Sequence, residues 1–182
     1  MEIKNTSLDG VFTYKPKKFL DNRGYFAEIF NKIQFSKISN SEFVQDNQSF
    51  SLEKNIFRGL HFQIEPHAQD KLIYVTKGKV LDVVLDLRTN SKTFLKHEFF
   101  ELSEENFLRL WVPKGFANGV LITEENTILN YKVTNFYSPD CERGISINDE
   151  NLNIKLPIRS EELILSEKDK KLKNLNRDIK YF

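Results

Sequence analysis

The sequence predicts a mostly β protein folded as one barrel or sandwich domain. Short runs of β-branched and aromatic residues alternate with polar residues, and turn signals separate these runs at intervals of about 8–12 residues. The 182 residues suffice for one large core, and no linker or internal repeat divides them. We place the core at about residues 11–157 and a helical C-terminal tail at residues 158–182.

The composition argues against several classes of function. A formal net charge of +1 gives no reason to expect a nucleic-acid or membrane-surface partner. The single cysteine, Cys141, rules out an intrachain disulfide and fits a reducing compartment. The sequence shows no secretory signal and no apolar run long enough to span a membrane, so we expect a cytoplasmic protein.

The first part of the chain is predicted to form two strands. Residues 11–19 and 25–30 have strand character, and the sequence DNRG at residues 21–24 separates them. This is a good turn, because the aspartate can bond its own backbone and the glycine allows a positive φ. Alternation along the second strand places Phe26 and Glu28 on one face.

Short helices are predicted in two places. Residues 31–38 are expected to form a helix with Ile33 and Ile38 pointing inward. In the tail, Ser166 and Asp169 have the spacing of a capping box, so a helix should begin directly after the serine.

Three hairpins are predicted in the middle of the chain. The clearest covers residues 71–88, with its turn at residues 76–79 around a glycine. A second pair of strands is expected within residues 94–113, and a third within residues 119–137. These segments supply most of the strands of the expected barrel.

One predicted strand, at residues 43–51, is unusually polar. Side chains alternate along a strand, so one of its faces carries Gln45, Asn47 and Ser49. Such a face can line a water-filled cavity. The alternative is a solvent-facing edge of the sheet.

His61 is the histidine with the most informative surroundings. His97 lies between a lysine and a glutamate on a strand face expected to be solvated, and His67 follows a proline in a loop. His61 lies in the sequence RGLHFQ, between two apolar residues and close to an arginine-glycine pair. It is a candidate functional residue, and a hydrogen-bonded core histidine is the alternative.

A metal site is one possibility for a jelly-roll barrel that contains histidines. Metal-binding cupins resemble this chain in two motifs, H-x-H and a later P-x-G-x-x-H. Here the first motif reads His61-Phe62-Gln63, and the second ends in Asn118. One imidazole and two amides are a poor ligand set for a transition metal. The barrel therefore resembles a cupin without a metal, and its chemistry should come from side chains.

Proton transfer is the chemistry that the remaining groups support. Neutral His61 can act as a general base near pH 7. Lys71 can stabilise a developing oxyanion, and the Tyr131 phenol can return a proton as a general acid. Base, cation and acid together suit proton abstraction next to a carbonyl. The alternatives are a surface lysine and an aromatic residue that merely lines the barrel.

The order of the motifs resembles the dTDP-4-dehydrorhamnose 3,5-epimerase family. The similarity runs from Phe19 to Asp169 through FLDNRGYFAEIF, FVQDNQS, FRGLHFQ, KLIYVTKGKVLDVVLDLR, WVPKGFANG, NYKVTNFYSPDCERGISIND and LSEKD. The resemblance implies a cupin-type jelly roll and epimerisation at C3, C5 or both of a nucleotide-diphospho-4-keto sugar. It further implies that no metal, flavin or nicotinamide cofactor is required, and a homodimer with an exchanged N-terminal strand.

The resemblance also implies roles for individual residues. His61 would be the base and Tyr131 the proton donor on the opposite face of the sugar. Asp169 would pair with the histidine, and Lys71 would lie near the keto oxygen. The positions that would contact the sugar nucleotide are Arg23, Phe26, Glu28, Gln45, Asp46, Asn47, Arg58, Asn118, Glu142 and Lys168.

Three departures from the family pattern lie near this predicted site. The family usually has histidine at the position of Asn118 and often at that of Gln48, and tyrosine is common at that of Phe136. The substrate is therefore left open between a dTDP-linked hexose and a GDP-linked heptose, with one or two carbons inverted. Two other classes of function are alternatives: a non-catalytic sugar-nucleotide-binding protein and a metal-dependent cupin oxygenase.

Overall fold

Two antiparallel sheets dominate residues 2–182, the part of the chain that the computed structural model describes. The strands are β1 (Glu2–Asn5), β2 (Phe12–Lys15), β3 (Lys18–Asp21), β4 (Gly24–Ala27), β5 (Gln45–Ser51), β6 (Phe57–Gln63), β7 (Lys71–Lys77), β8 (Lys79–Asp86), β9 (His97–Ser103), β10 (Arg109–Val112), β11 (Phe116–Ile122), β12 (Thr127–Val133) and β13 (Glu142–Gly144). One sheet has the order β1-β2-β10-β7-β12-β5 and the other β13-β6-β11-β8-β9. The prediction of a mostly β jelly roll is confirmed.

The two sheets pack through alternate residues of their central strands. Val75 of β7 and Leu129 of β12 meet Val80 and Val84 of β8 and Ile122 of β11 in one buried cluster. Side chains one position away point to the outer faces, because strand residues alternate. The outer face of the five-stranded sheet is also covered by the C-terminal part of the chain, so β8 and β11 are almost entirely buried and their sequences are mostly apolar.

The three predicted hairpins are wrong, although their strands exist. β7 and β8 lie in different sheets, as do β9 and β10, and β11 and β12. At each of these turns the chain crosses from one sheet to the other. Gly78, Phe107 and Asn126 have positive φ at the three crossings, and a side chain at Gly78 would collide with Thr127. A turn that crosses between two sheets and a turn that closes a hairpin use the same residue types, so the local sequence did not distinguish the two arrangements.

The N-terminal segment covers part of the outer face of the six-stranded sheet. The predicted strand 11–19 is interrupted between β2 and β3, and β3 pairs with β4 in a separate hairpin. The predicted turn at residues 21–24 is confirmed, since the Arg23 N–H donates to Asp21 Oδ1 at 2.8 Å. Four large side chains of this hairpin are exposed: Phe19, Leu20, Tyr25 and Phe26.

The predicted helix at residues 31–38 is a single turn, α1 (Lys32–Phe35). Asn31 caps it, because its Oδ1 accepts from the backbone N–H groups of Ile33 and Gln34. The inward orientation of Ile33 is wrong, since this side chain is 82% exposed. Phe35 is buried instead, in an aromatic cluster with Trp111.

The C-terminal tail that was predicted to be helical is helical only in part. Residues 158–182 contain only two 3-10 turns, Ser160–Glu162 and Asp169–Lys171. One hydrogen bond of the predicted capping box is present, since the Ser166 Oγ accepts from the Asp169 N–H at 3.0 Å, but the 3-10 turn itself begins at Asp169 with Lys168 as its N-cap residue. The tail is otherwise irregular because its apolar side chains spread over the outer face of the five-stranded sheet. Within residues 2–182, no helix has the length and apolar character needed to cross a membrane.

Candidate active site

A cavity of about 330 Å³ lies between the two sheets. Five strands and the tail supply the predicted residues that line it, which are Arg58, His61, Lys71, Asn118, Tyr131, Glu142, Lys168 and Asp169. Apolar side chains of Ile73, Val120 and Leu129 complete its wall. Because the charged groups share this partly apolar enclosure, their interactions are stronger than they would be in water.

His61 and Asp169 form a close pair in this cavity. His61 Nε2 lies 2.6 Å from Asp169 Oδ1, and the side chain of Asp169 is only 5% exposed. A carboxylate only accepts hydrogen bonds, so it holds the proton of the neutral imidazole on Nε2 and leaves the Nδ1 lone pair free. Burial lowers the pKa of His61, although Asp169 opposes this shift. The imidazole is therefore available as a base at neutral pH.

Lys71 lies on β7 of the opposite sheet. Its Nζ donates to Asn118 Oδ1 at 2.5 Å, and the backbone oxygen of His61 lies 3.5 Å away. Burial lowers the pKa of Lys71 to about 8, while the charges of Asp82 and Glu142 oppose the shift. An ammonium held in this way can stabilise negative charge on a substrate oxygen.

Tyr131 lies on β12, next to Lys71 in the same sheet and across the cavity from the sheet of His61. Its register partners are Asn47 of β5 and Ile73 of β7. Burial raises the pKa of Tyr131, and the charge of Glu142 adds to this effect. The phenol therefore keeps its proton at neutral pH and can donate it.

Glu142 and Lys168 pair with each other at the rim of the cavity. Lys168 Nζ lies 2.6 Å from Glu142 Oε2, and the Tyr137 hydroxyl donates to the same oxygen at 2.7 Å. These contacts tie the tail to β13 next to Asp169. Their predicted role as substrate contacts stays a prediction, because both charges already have partners here.

Gln45 and Asn47 lie beside the cavity rather than in its wall. They are partly buried on the same face of β5 as Ser49, which does line the cavity. Gln45 Nε2 donates to Asn47 Oδ1, and its Oε1 accepts from the Tyr137 N–H. The expectation of a polar face on a water-filled cavity is thus met at Ser49.

Asp46 does not belong with these residues. It points to the opposite face of β5, where both carboxylate oxygens accept from Lys132 Nζ at 2.8–2.9 Å. Strand alternation separates it from Gln45 and Asn47. Asp46 is therefore outside this cavity within one copy of the chain, and its predicted contact with the nucleotide stays a prediction.

Arg23, Phe26 and Glu28 lie outside the main cavity. Arg23 pairs with Asp21 in the exposed turn. Phe26 and Glu28 line a second cavity of about 290 Å³ beneath the N-terminal segment. Within one copy of the chain, these three predicted substrate contacts are therefore separate from the His61 site.

Several polar groups of the site were missed by the sequence reasoning. Asp82 of β8 is completely buried beside Lys71, and Tyr137 and Ser166 line the cavity. Asp82 had a readable signal, since it is an acid within the apolar run VLDVVL of β8. Tyr137 and Ser166 had none, because only the packing of loops and tail brings them to the cavity.

The two amides at the metal-ligand positions of cupins are engaged in hydrogen bonds. Gln63 Oε1 accepts from the Ser138 N–H at 2.7 Å, and its Nε2 donates to the backbone oxygens of His67 and Phe136. Asn118 Oδ1 accepts from Lys71. Neither side chain is free to coordinate a metal. The potential metal ligands at these positions are therefore reduced to His61 and the Asn118 amide, whose oxygen is already bound to Lys71.

A jelly roll with a histidine–carboxylate pair facing a phenol and a lysine defines a class of acid–base enzymes that move protons on carbon next to a carbonyl. A model of the dTDP-4-dehydrorhamnose 3,5-epimerase family matches residues 5–177. The chain belongs to this family, whose members are carbohydrate epimerases.

Individual relatives cover nearly the whole chain. The dTDP-4-dehydrorhamnose 3,5-epimerase of Escherichia coli K12 is 43% identical over 182 residues, which is 99% of this chain and 97% of that protein. The crystal structure of the Elizabethkingia anophelis enzyme superposes with a TM-score of 0.92 at 40% identity, covering 100% and 99% of the two chains. A Legionella pneumophila 3,5-epimerase in complex with dTDP-4-keto-L-rhamnose gives 0.89 at 37%, covering 95% and 92%.

Proposed function

We propose that this enzyme epimerises a dTDP-linked 4-keto-6-deoxy sugar at C3 and C5. The observation that carries the proposal is the placement of His61 and Tyr131, which reach one cavity from opposite sheets. A base and an acid on two sides of a bound sugar ring can remove a proton from one face and return one to the other. The dTDP group is supported by the Legionella pneumophila relative, which is described with such a sugar bound.

The chemistry begins at the carbon next to the C4 carbonyl. His61 takes the proton from C3 or C5, and the electron pair of the C–H bond moves to the keto oxygen as an enolate. Lys71 stabilises that oxygen. Tyr131 then gives its proton to the opposite face of the same carbon, and solvent returns His61 and Tyr131 to their starting states. General acid–base catalysis of this kind contributes about 10²–10⁴-fold per group.

The protonation states match these roles near neutral pH. The pKa of His61 is lowered by burial, so the imidazole is neutral at pH 7. The pKa of Tyr131 is raised by burial, so the phenol is protonated, and Lys71, with a pKa lowered to about 8, still carries its charge. Activity should therefore fall on the acid side as His61 protonates and on the basic side above about pH 8.

We further propose that the enzyme works as a homodimer in the cytoplasm. The hairpin β3–β4 exposes Phe19 and Phe26 on one face and Leu20 and Tyr25 on the other, and exposed apolar side chains grouped in this way mark an interaction surface. Exchange of this segment would bring Arg23, Phe26 and Glu28 to the cavity of the other copy. Sizing chromatography should give about twice the monomer mass of 21.4 kDa, and a monomer would exclude this arrangement.

A panel of dTDP- and GDP-linked 4-keto sugars in D₂O tests the proposed reaction. We expect deuterium at both C3 and C5 of the dTDP-linked 6-deoxyhexose and little with GDP-linked sugars. Deuterium at one carbon only would indicate a single-site epimerase. No exchange with any substrate would point to a non-catalytic binding protein.

A further inference from the structure

Asp82 is a buried carboxylate that the proposed reaction does not use. It lies on the inner face of β8, is 0% exposed, and no hydrogen-bond donor in residues 2–182 reaches either of its oxygens at bonding geometry. An unpaired buried carboxylate costs several kcal/mol when it is ionised. A residue that lowers stability in this way suggests a function that offsets the cost.

The neighbours of Asp82 indicate what that function is. On β11, Val120 is its register partner, and Asn118 lies two residues away on the same inner face. The Asn118 amide accepts from Lys71 on one side. It also lowers the pKa of Asp82, although the contact falls short of hydrogen-bond geometry. The amide therefore lies between the lysine and the buried acid.

We propose that Asp82 is a positioning residue for Lys71. Asp82 keeps the buried ammonium of Lys71 charged, and it directs this ammonium towards the substrate oxygen through the Asn118 amide. The inference rests on the proposed function, because it assigns Lys71 to the enolate oxygen. Asp82 itself touches no substrate, since the ammonium and the amide separate it from the cavity.

The charges of Asp82 and Lys71 shift each other's pKa values in known directions. Burial lowers the pKa of Lys71 to about 8 and raises that of Asp82 to about 8, and each is the strongest charge acting on the other. Glu142 on β13 also raises the pKa of Lys71, while Lys71 lowers that of His61 on β6. Removing the Asp82 charge must therefore lower the pKa of Lys71, and Lys71 would lose its proton at a lower pH.

The test is Asp82→Asn, which removes the charge and keeps the shape. Acylation of Lys71 by an amine-reactive reagent, followed by mass spectrometry against pH, reports the lysine without any substrate. We expect its midpoint to fall from about 8 by about 1 unit or more. With substrate, kcat should drop about 5-fold or more at pH 8 and much less at pH 6, with KM nearly unchanged.

Asp86→Asn is the matched control. Asp86 lies on the same face of the same strand and is also 0% exposed, but it is fully hydrogen-bonded, and its charge does not contribute to the pKa shift of Lys71. This variant should leave both the Lys71 midpoint and the pH profile unchanged. An unshifted midpoint in Asp82→Asn would overturn the inference, as would an equal loss of kcat at every pH.

Infrared spectroscopy of the unmodified enzyme gives a test that needs no folded variant. The C=O band of a protonated carboxylic acid should persist at pH 6.5 and disappear as the pH rises through about 8, because the pKa of Asp82 is raised to that value. A band that persisted unchanged well above pH 8 would contradict the inference, because Asp82 would then carry no charge that could hold the proton on Lys71. Lys71 acylation and infrared spectra do not depend on turnover, so they separate a failure of this inference from a failure of the proposed reaction.

Discussion

Asp82 and Asp86 lie on one face of β8, and both side chains are completely buried, yet their surroundings differ in almost every respect. Asp86 accepts from the Arg88 guanidinium and from the hydroxyls of Ser91 and Thr93, and its pKa is lowered because these hydrogen bonds outweigh its burial. Asp82 has no such donors, and burial raises its pKa to about 8.

The difference separates two uses of a buried charge. The Asp86 cluster stabilises the fold, since every acceptor is satisfied and the acid fastens the loop after β8. The cavity region holds Asp82, Lys71 and His61 with incomplete partners and shifted pKa values, which is typical of a functional site. Variants in the cavity region should therefore change activity with little loss of stability, and variants in the Asp86 cluster should do the reverse.

His61→Asn should produce the largest change in activity. The amide can still donate to Asp169, so the fold remains intact, but no base is left to remove the proton. We expect kcat/KM to fall about 10⁴-fold, at the upper end of the contribution of one general base. Progress curves with the dTDP-linked 4-keto sugar measure this. His97→Asn is the matched control, because His97 packs against Phe99 outside the cavity.

Asp169→Asn should cost less, about 10²-fold in kcat/KM, because the amide no longer stabilises the imidazolium. Asp169 raises the pKa of His61, so its removal lowers that pKa further. The acid limb of the pH–rate profile should consequently move to lower pH while the plateau falls. A limb that stayed in place or moved to higher pH would show that Asp169 does not act on His61.

Asp86→Asn should leave the kinetics unchanged and lower stability. The change leaves the partly buried Arg88 without its carboxylate, and we expect the free energy of unfolding to fall by about 2–4 kcal/mol. Urea denaturation measures this loss. If Asp86→Asn instead lowered kcat with an unchanged denaturation midpoint, the contrast between the two carboxylates would be lost.

The strands and the chemical groups of the site could be predicted from the sequence, because alternation and residue type are local properties. RGLHFQ and LNYKV placed His61 and Tyr131 on strands, and both strands are present. The pairing of strands is not a local property, because it depends on residues that are distant in the sequence. The turns at Gly78 and Asn126 looked like hairpin turns, but the buried strands on either side belong to different sheets.

The limits of the site prediction have the same origin. Site residues were assigned motif by motif, so the QDN motif included Asp46 with its neighbours. Because side chains alternate along a strand, that of Asp46 points outward to Lys132. Asp82 was missed because its importance depends on burial beside Lys71, which comes from another sheet. The hydrogen bond from the Asp169 N–H to Ser166 fits the predicted start signal, whereas the helix that follows is only a single 3-10 turn, because tail packing overrides a local start signal.

The central claim is that two residues on opposite sheets transfer protons on opposite faces of one carbon. Deuterium incorporation from D₂O and inversion of the sugar, measured separately in the same sample by NMR, test it most directly. The account predicts both in the wild type and neither in His61→Asn. In Tyr131→Phe it predicts deuterium incorporation that exceeds inversion, because the base still works and the opposite donor is gone. Full inversion by Tyr131→Phe, or deuterium incorporation by His61→Asn at the wild-type rate, would contradict it.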